Sequence, residues 1–261
     1  MFSDSIIFAF SLTFFAGIST GIGSLLCLMY KKFNPKFLGA MLGISAGVMM
    51  YVSFVEILAK AKTSLSLVFG EKLGYSYTIL GFFIGIVLMI LIDKLLPHHH
   101  ENKEDKNKTS DKKLLRLGLF SALALSIHNF PEGLATFISA LDDPAYGVSI
   151  AFAIAIHNIP EGIAVAIPIY YATKSRKKAF TYSFLSGLTE PIGALIGYFV
   201  LLQFIDESIF GAIFASVAGM MVYISINELL PTAQEYAGKK ISTYGFIVGM
   251  FVMAISLVLF L

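Results

Sequence analysis

Apolar residues run along this chain in long unbroken blocks, separated by short polar breaks. Eight such blocks can be drawn, at about 5–30, 37–59, 74–96, 115–140, 146–171, 179–204, 208–231 and 241–261. Each exceeds the ~18 residues of a membrane-crossing helix. Hydrocarbon offers no partner to a free backbone N–H or C=O, so blocks of this length are expected to be helical. The pattern predicts an all-α polytopic membrane protein with eight transmembrane helices in a single transmembrane domain.

Composition narrows the class further. Of 261 residues only 14% are charged and 57% are apolar, with a mean hydropathy of +0.79. A soluble domain carries about 25% charged and 45–50% apolar residues. A cytosolic enzyme, a nucleic-acid binder and a secreted disulfide scaffold are thereby excluded. Cys27 is the single cysteine, which also removes any multi-thiolate metal site. The only early charge is Asp4, so no basic leader region of a cleaved signal peptide is expected.

The net charge of +2 says little, but its distribution says more. Sixteen of the 19 Lys and Arg residues follow spans one, three, five and seven, leaving Lys60, Lys62 and Lys72 on the other side. The positive-inside rule predicts that those four connections are cytoplasmic and both termini extracytoplasmic, with the chain in a plasma (inner) membrane. His98–Lys113 is the one polar low-complexity stretch and reads as a cytoplasmic linker. Its His98-His99-His100 run fits either weak metal binding or a solvated loop.

The chain also repeats itself. Ala46-Gly47-Val48-Met49-Met50-Tyr51 through Glu56 in span two aligns with Ala218-Gly219-Met220-Met221-Val222-Tyr223 through Glu228 in span seven. Gly17 to Gly23 in span one resembles Gly187 to Gly193 in span six, and Gly81 to Gly85 resembles Gly245 to Gly249. Spans one to three therefore match spans six to eight. An odd offset of five helices turns the second triplet upside down, an arrangement typical of secondary transporters. The expected organisation is repeat one 1–96, a cytoplasmic loop 97–114, a central metal-binding helix pair 115–172 and repeat two 178–261.

The central pair holds a sharper duplication. His128-Asn129-Phe130-Pro131-Glu132-Gly133 in span four returns as His157-Asn158-Ile159-Pro160-Glu161-Gly162 in span five. Positions i and i+4 share a helix face, so each histidine points the same way as its glutamate. Adjacent spans run antiparallel and bring the copies together across a pseudo-twofold axis. A carboxylate at mid-bilayer costs about 2.5–3.5 kcal/mol on insertion scales, unless protons or cations share the space. Imidazole with carboxylate suits first-row divalent metals.

Pro131 and Pro160 cannot donate to the carbonyls of Ile127 and Ile156, which frees two backbone oxygens beside these groups. Glu190-Pro191 in span six repeats the pairing of carboxylate and proline. Two neighbouring metal positions follow: His128, Glu132, His157 and Glu161 at one, and Asn129, Asn158, Glu190 and the two shared glutamates at the other. Glu56 and Glu228 read either as gate or proton-relay carboxylates or as partners for backbone near a helix end. Met49, Met50, Met220 and Met221 are expected to pack rather than ligate.

These paired HNxPEG motifs, the eight spans and the histidine-containing loop resemble the ZIP family of divalent metal transporters over essentially the whole chain. The resemblance implies a 3+2+3 inverted-repeat arrangement and a binuclear metal centre in the transport pathway. It carries metal ligation onto His128, Asn129, Glu132, His157, Asn158, Glu161 and Glu190. Many relatives have an acidic residue where Asn158 stands, so the site here is less negative. Zn²⁺ is the implied cargo, with Fe²⁺, Mn²⁺, Co²⁺ and Cd²⁺ beside it, moving into the cytoplasm with no resident cofactor.

A passive channel would use the same ligands. An intramembrane hydrolase would need an open coordination position and a general base, and no H-E-x-x-H motif supplies them. Gly193-x-x-x-Gly197 fits either packing within the chain or a homodimer interface.

Overall fold

The computed structural model describes residues 4–29, 34–95, 106–142, 144–201 and 206–259. Among them every element is helical. α1 (Asp4–Leu28) precedes α2 (Pro35–Val52), which runs through a π turn, Ser53–Ile57, into α3 (Leu58–Phe69). α4 (Glu71–Leu95), α5 (Lys106–Asp142), α6 (Pro144–Thr173), α7 (Arg176–Gly187) and α8 (Thr189–Ile196) follow. α9 (Glu207–Ile224) passes through a second π turn, Ser225–Leu229, into α10 (Leu230–Leu259). Local chemistry sets the starts: the Asn34 side chain accepts from the Lys36 and Phe37 amides with Pro35 in the first turn, and Asp206 caps α9 in the same way.

Six described helical runs are long and apolar enough to cross a membrane, where the hydrophobic pattern predicts eight. Two causes account for the difference. Spans seven and eight lie in one run of 53 residues, Glu207–Leu259, interrupted only by the non-helical Gly238 at φ 78°. Span six is broken at Leu188 between α7 and α8 and ends in a third π turn, Gly197–Leu201, so no single helix there reaches membrane length.

Two boundaries also differ. Span two continues to Phe69, because Leu, Ala and Lys sustain a helix after the apolar block ends; Lys60 and Lys62 are helical rather than in a loop. The expected loop 97–114 is helical from Lys106 onward. His98, His99 and His100 lie outside the described residues. Pro131 and Pro160 both sit inside unbroken helices.

The repeat is visible contact by contact. Gly47 lies against the carbonyl of Phe246 on α10, and its counterpart Gly219 lies against that of Phe82 on α4. Gly249 meets the Ile44 carbonyl while Gly85 meets that of Ser216. Gly17 and Gly187 face each other's carbonyls, and Gly23 meets Ile159 as Gly193 meets Phe130. The two π turns fall at equivalent places, as do Gly70 (φ 77°) and Gly238 (φ 78°). The inverted alignment predicts paired contacts of this kind.

In space the helices form two groups. α1, α5, α6, α7 and α8 pack together, and α2, α3, α4, α9 and α10 form the other group, with α2 and α10 paired most extensively. Each triplet is thus divided between the groups. All the glycine-to-backbone close approaches fall within one group or the other. Between groups, α2 packs on α6 and α5 touches α9, and the interface is filled by side chains such as Met49, Leu117, Phe120, Ile167 and Met220. Met49 and Met221 are fully buried among apolar neighbours, so they pack as expected. Gly193 and Gly197 are taken up by Phe130 and Leu134 of α5, which assigns that face to packing within the chain.

Gly70 and Gly238 have positive φ, and a Cβ at either would meet nothing within 4 Å. Gly70→Ala and Gly238→Ala should therefore each cost only backbone strain, about 1–2 kcal/mol. Thermal unfolding in detergent should show similar, small drops in midpoint for the two variants. A large difference between them would contradict their equivalence.

Candidate metal centre

The site is built where α5 and α6 cross under α1, α7 and α8. Close approach comes first. Gly133 lies against the Glu190 carbonyl and Gly162 against the Thr20 carbonyl, at repeat-equivalent places. Without side chains there, α8 and α1 can press onto the motif helices and deliver polar groups to the same depth.

His128, Asn129, Asn158, Glu161 and Glu190 have no exposed surface, and Glu132 has 4%. His128 Nε2 lies 3.2 Å from Glu161 Oε1, joining the first motif to the second. Asn158 Nδ2 donates to Glu190 Oε1 at 2.5 Å and to the Ala16 carbonyl at 2.9 Å. Asn129 Nδ2 donates to the Ser186 carbonyl at 3.2 Å. Ala16 and Ser186 are themselves repeat counterparts, so both amides are oriented by the same device. Glu132 and Glu161 both act electrostatically on Glu190, which places three carboxylates in one neighbourhood.

Both asparagines commit their N–H groups to these acceptors, which fixes the amide oxygens in the opposite direction. Asn129 Oδ1, Asn158 Oδ1, Glu161 Oε2 and Glu190 Oε2 are all buried with no hydrogen-bond partner among the described residues. Leaving a buried acceptor unsatisfied costs about 1–3 kcal/mol, and more when it is charged. All four are acceptors. A cation satisfies such a set at once, whereas an anion or an apolar ligand would satisfy none of it. The donor types, carboxylate and amide oxygen with imidazole, fit a borderline divalent ion.

The gathering is less complete than the expected two positions. Among the described residues, no three His, Cys, Asp or Glu side chains converge on one point. His157 sits on α6 one turn before Glu161, but its side chain is outside those described. Glu56 and Glu228 are not in this cluster; each lies in a π turn, at equivalent places in the two repeats. Insertions of this kind in helices frequently mark functional positions.

Sequence reading missed the supporting residues. Ser183 Oγ donates to the Gly162 carbonyl at 3.1 Å, and Thr20 Oγ1 is buried without a hydrogen-bond partner among the described residues. The repeat alignment holds a signal for Thr20, since it occupies in span one the place of Glu190 in span six. Nothing in the sequence pattern singles out Ser183.

A helical polytopic membrane protein with buried imidazole, amide and carboxylate groups on duplicated proline-containing helices defines the class. Residues 93–257 match the family described as ZIP Zinc transporter. The chain is 60% identical over 267 residues to the zinc transporter ZupT of Chlorobaculum parvum, covering 99% of this chain and 100% of that protein. It is 54% identical over 266 residues to the zinc transporter ZupT of Streptococcus mutans, at 99% and 100% coverage. A ZupT from Clostridium perfringens is 50% identical over 278 residues, at 99% and 98%. The chain belongs to the ZIP family.

Proposed function

We propose that this chain carries Zn²⁺ across the plasma (inner) membrane into the cytoplasm, with Fe²⁺, Mn²⁺, Co²⁺ and Cd²⁺ as further cargo of the same ligand chemistry. The chain crosses the bilayer eight times, span six being a broken helix, and both termini lie outside. The observation that carries the reading is the set of four buried acceptor oxygens beside the His128–Glu161 pair that have no hydrogen-bond partner among the described residues. His128, Asn129, Glu132, His157, Asn158, Glu161 and Glu190 hold the ion in one or two adjacent positions.

Binding at these residues replaces protons. The line between His128 Nε2 and Glu161 Oε1 is where a hydrogen bond gives way to an ion. Ligands must be deprotonated to coordinate, so acid competes with metal. The side-chain-filled seam between the two helix groups supports a cycle in which the site-bearing group shifts against the other. Backbone-to-backbone contacts lock each group internally, so movement is easiest between groups.

The test is Zn²⁺ uptake by sealed proteoliposomes with no other substrate present, competed by each divalent cation at two pH values. Saturable uptake that is inhibited by the competing ions, with a higher apparent KM at the lower pH, is expected. Absence of metal flux under all conditions would refute the reading.

A further inference from the structure

Arg116–Asp93 and Lys60–Ser139 are side-chain hydrogen bonds that cross from one helix group to the other, and they sit at opposite ends of α5. Near its start, Arg116 Nη2 lies 2.7 Å from Asp93 Oδ1 on α4. Near its end, Lys60 Nζ on α3 donates to Ser139 Oγ at 3.4 Å. The helix between Arg116 and Ser139 rises roughly 35 Å at 1.5 Å per residue. That slightly exceeds the ~30 Å hydrocarbon core. The groups are therefore tied at both membrane faces, away from the metal centre.

The two ties are unequal. Arg116–Asp93 is short and charge-assisted, and such bonds are about twice as strong as neutral ones. Asp93 also accepts from the Tyr223 hydroxyl of α9 at 3.3 Å. Glu228, in the π turn after α9, is exposed to the fields of both Asp93 and Arg116 and accepts from the Asn227 amide at 3.0 Å. An arginine of the site-bearing group thus reaches into an acidic, hydroxyl-lined notch of the other group. Lys60 has a different arrangement. Its charged neighbours Glu56 and Glu207 belong to its own group, and its bond across the seam ends on a neutral hydroxyl.

The Arg116 and Asp93 side chains are 36% and 18% exposed. Neither side chain is fully buried, so parting them costs less than parting a deeply buried pair would. From His128, Arg116 is twelve residues along α5, roughly 18 Å, too far to ligate the same ion.

We propose that the Arg116–Asp93 ion pair is a latch between the two helix groups: it holds the site-bearing group in the position seen here and must part in every transport cycle. Arg116 and Asp93 are positioning residues for transport and do not ligate the ion in the metal centre. The inference rests on the transport reading above. It adds which contact limits movement, and at which end of the bundle.

The experiment uses Arg116→Cys with Asp93→Cys in a Cys27→Ala background, so that the introduced thiols are the only two. A short bis-methanethiosulfonate reagent bridges them across the gap left by the arginine arm, and reductant cleaves the bridge. Initial Zn²⁺ uptake in proteoliposomes should fall at least tenfold on bridging and recover on reduction. Each single-cysteine variant should be insensitive to the same treatment. Undiminished uptake by the bridged protein overturns the latch. So does a reduced pair that is folded but inactive, because a latch is dispensable for binding.

As a second measurement, Asp93→Asn should change Vmax at least threefold while leaving the KM for Zn²⁺ within twofold. A shift confined to KM, or no shift, also overturns the proposal. Absence of uptake by the unsubstituted chain would instead remove the transport reading itself, so the two failures are distinct.

Discussion

Glu161→Ala is expected to reduce Zn²⁺ uptake at matched expression on the order of 100-fold or more. Loss of groups that merely orient a metal ligand already costs about 10–100-fold. Glu161 stands closer to the chemistry than that. One of its oxygens faces His128 Nε2 at 3.2 Å, and the other is buried with no hydrogen-bond partner among the described residues. Removing the carboxylate deletes the contact to His128 and one of the buried acceptor oxygens. Glu161→Gln keeps the shape and removes the charge, so it should fail nearly as badly if charge neutralisation is the point. Near-normal uptake by either variant would remove Glu161 from the site. Transport that Glu161→Gln sustains and Glu161→Ala does not would assign it a packing role.

The other large effect is expected from a residue with no chemistry of its own. A Cβ at Gly162 would land on the Thr20 carbonyl, and at Gly133 on that of Glu190. Both obstacles are backbone, which cannot rotate aside. Gly162→Val should push α1 away from α6, at about 1–3 kcal/mol or somewhat more for overpacking. The functional loss should exceed the stability loss. α1 carries Ala16, whose carbonyl orients the Asn158 amide, so the displacement reaches the site directly. Misplacements of about 1 Å in such constellations can cost 10²-fold in rate. Zinc uptake and thermal midpoint should both fall in Gly162→Val, and in Gly133→Val for the equivalent reason. A variant with wild-type midpoint and uptake would show that the helices are not in contact there.

Much of this architecture was legible because membrane solvent enforces simple rules. Long apolar blocks are readable since lipid demands long helices, and the duplicated His-Asn-x-Pro-Glu-Gly motif is readable since buried charge is costly enough to be rare. The antiparallel pairing of the two motifs followed from span order alone, and the His128–Glu161 contact is its direct result. Other features depend on tertiary context. The π turns at Ser53–Ile57 and Ser225–Leu229 are not marked by any Pro or Gly, so the sequence does not show where the backbone departs from the α-helix.

Division of each triplet between two groups was equally hidden. Sequence neighbours need not be spatial neighbours once α2 pairs with α10 and α4 with α9. Thr20 was overlooked because a single threonine in an apolar helix usually bonds its own backbone. Only alignment with Glu190 marks its place. Nothing in the spacing of Arg116 and Asp93 says that they meet across the seam.

Zinc-edge anomalous diffraction from crystals of the metal-loaded protein tests the central claim most directly. A peak enclosed by α5, α6 and α8, with coordination from Glu161 and its neighbours and loss of that peak in Glu161→Ala, is the result predicted here. Zinc found only outside the bundle, with Asn158 still donating to Glu190 and His128 still paired to Glu161, would contradict it.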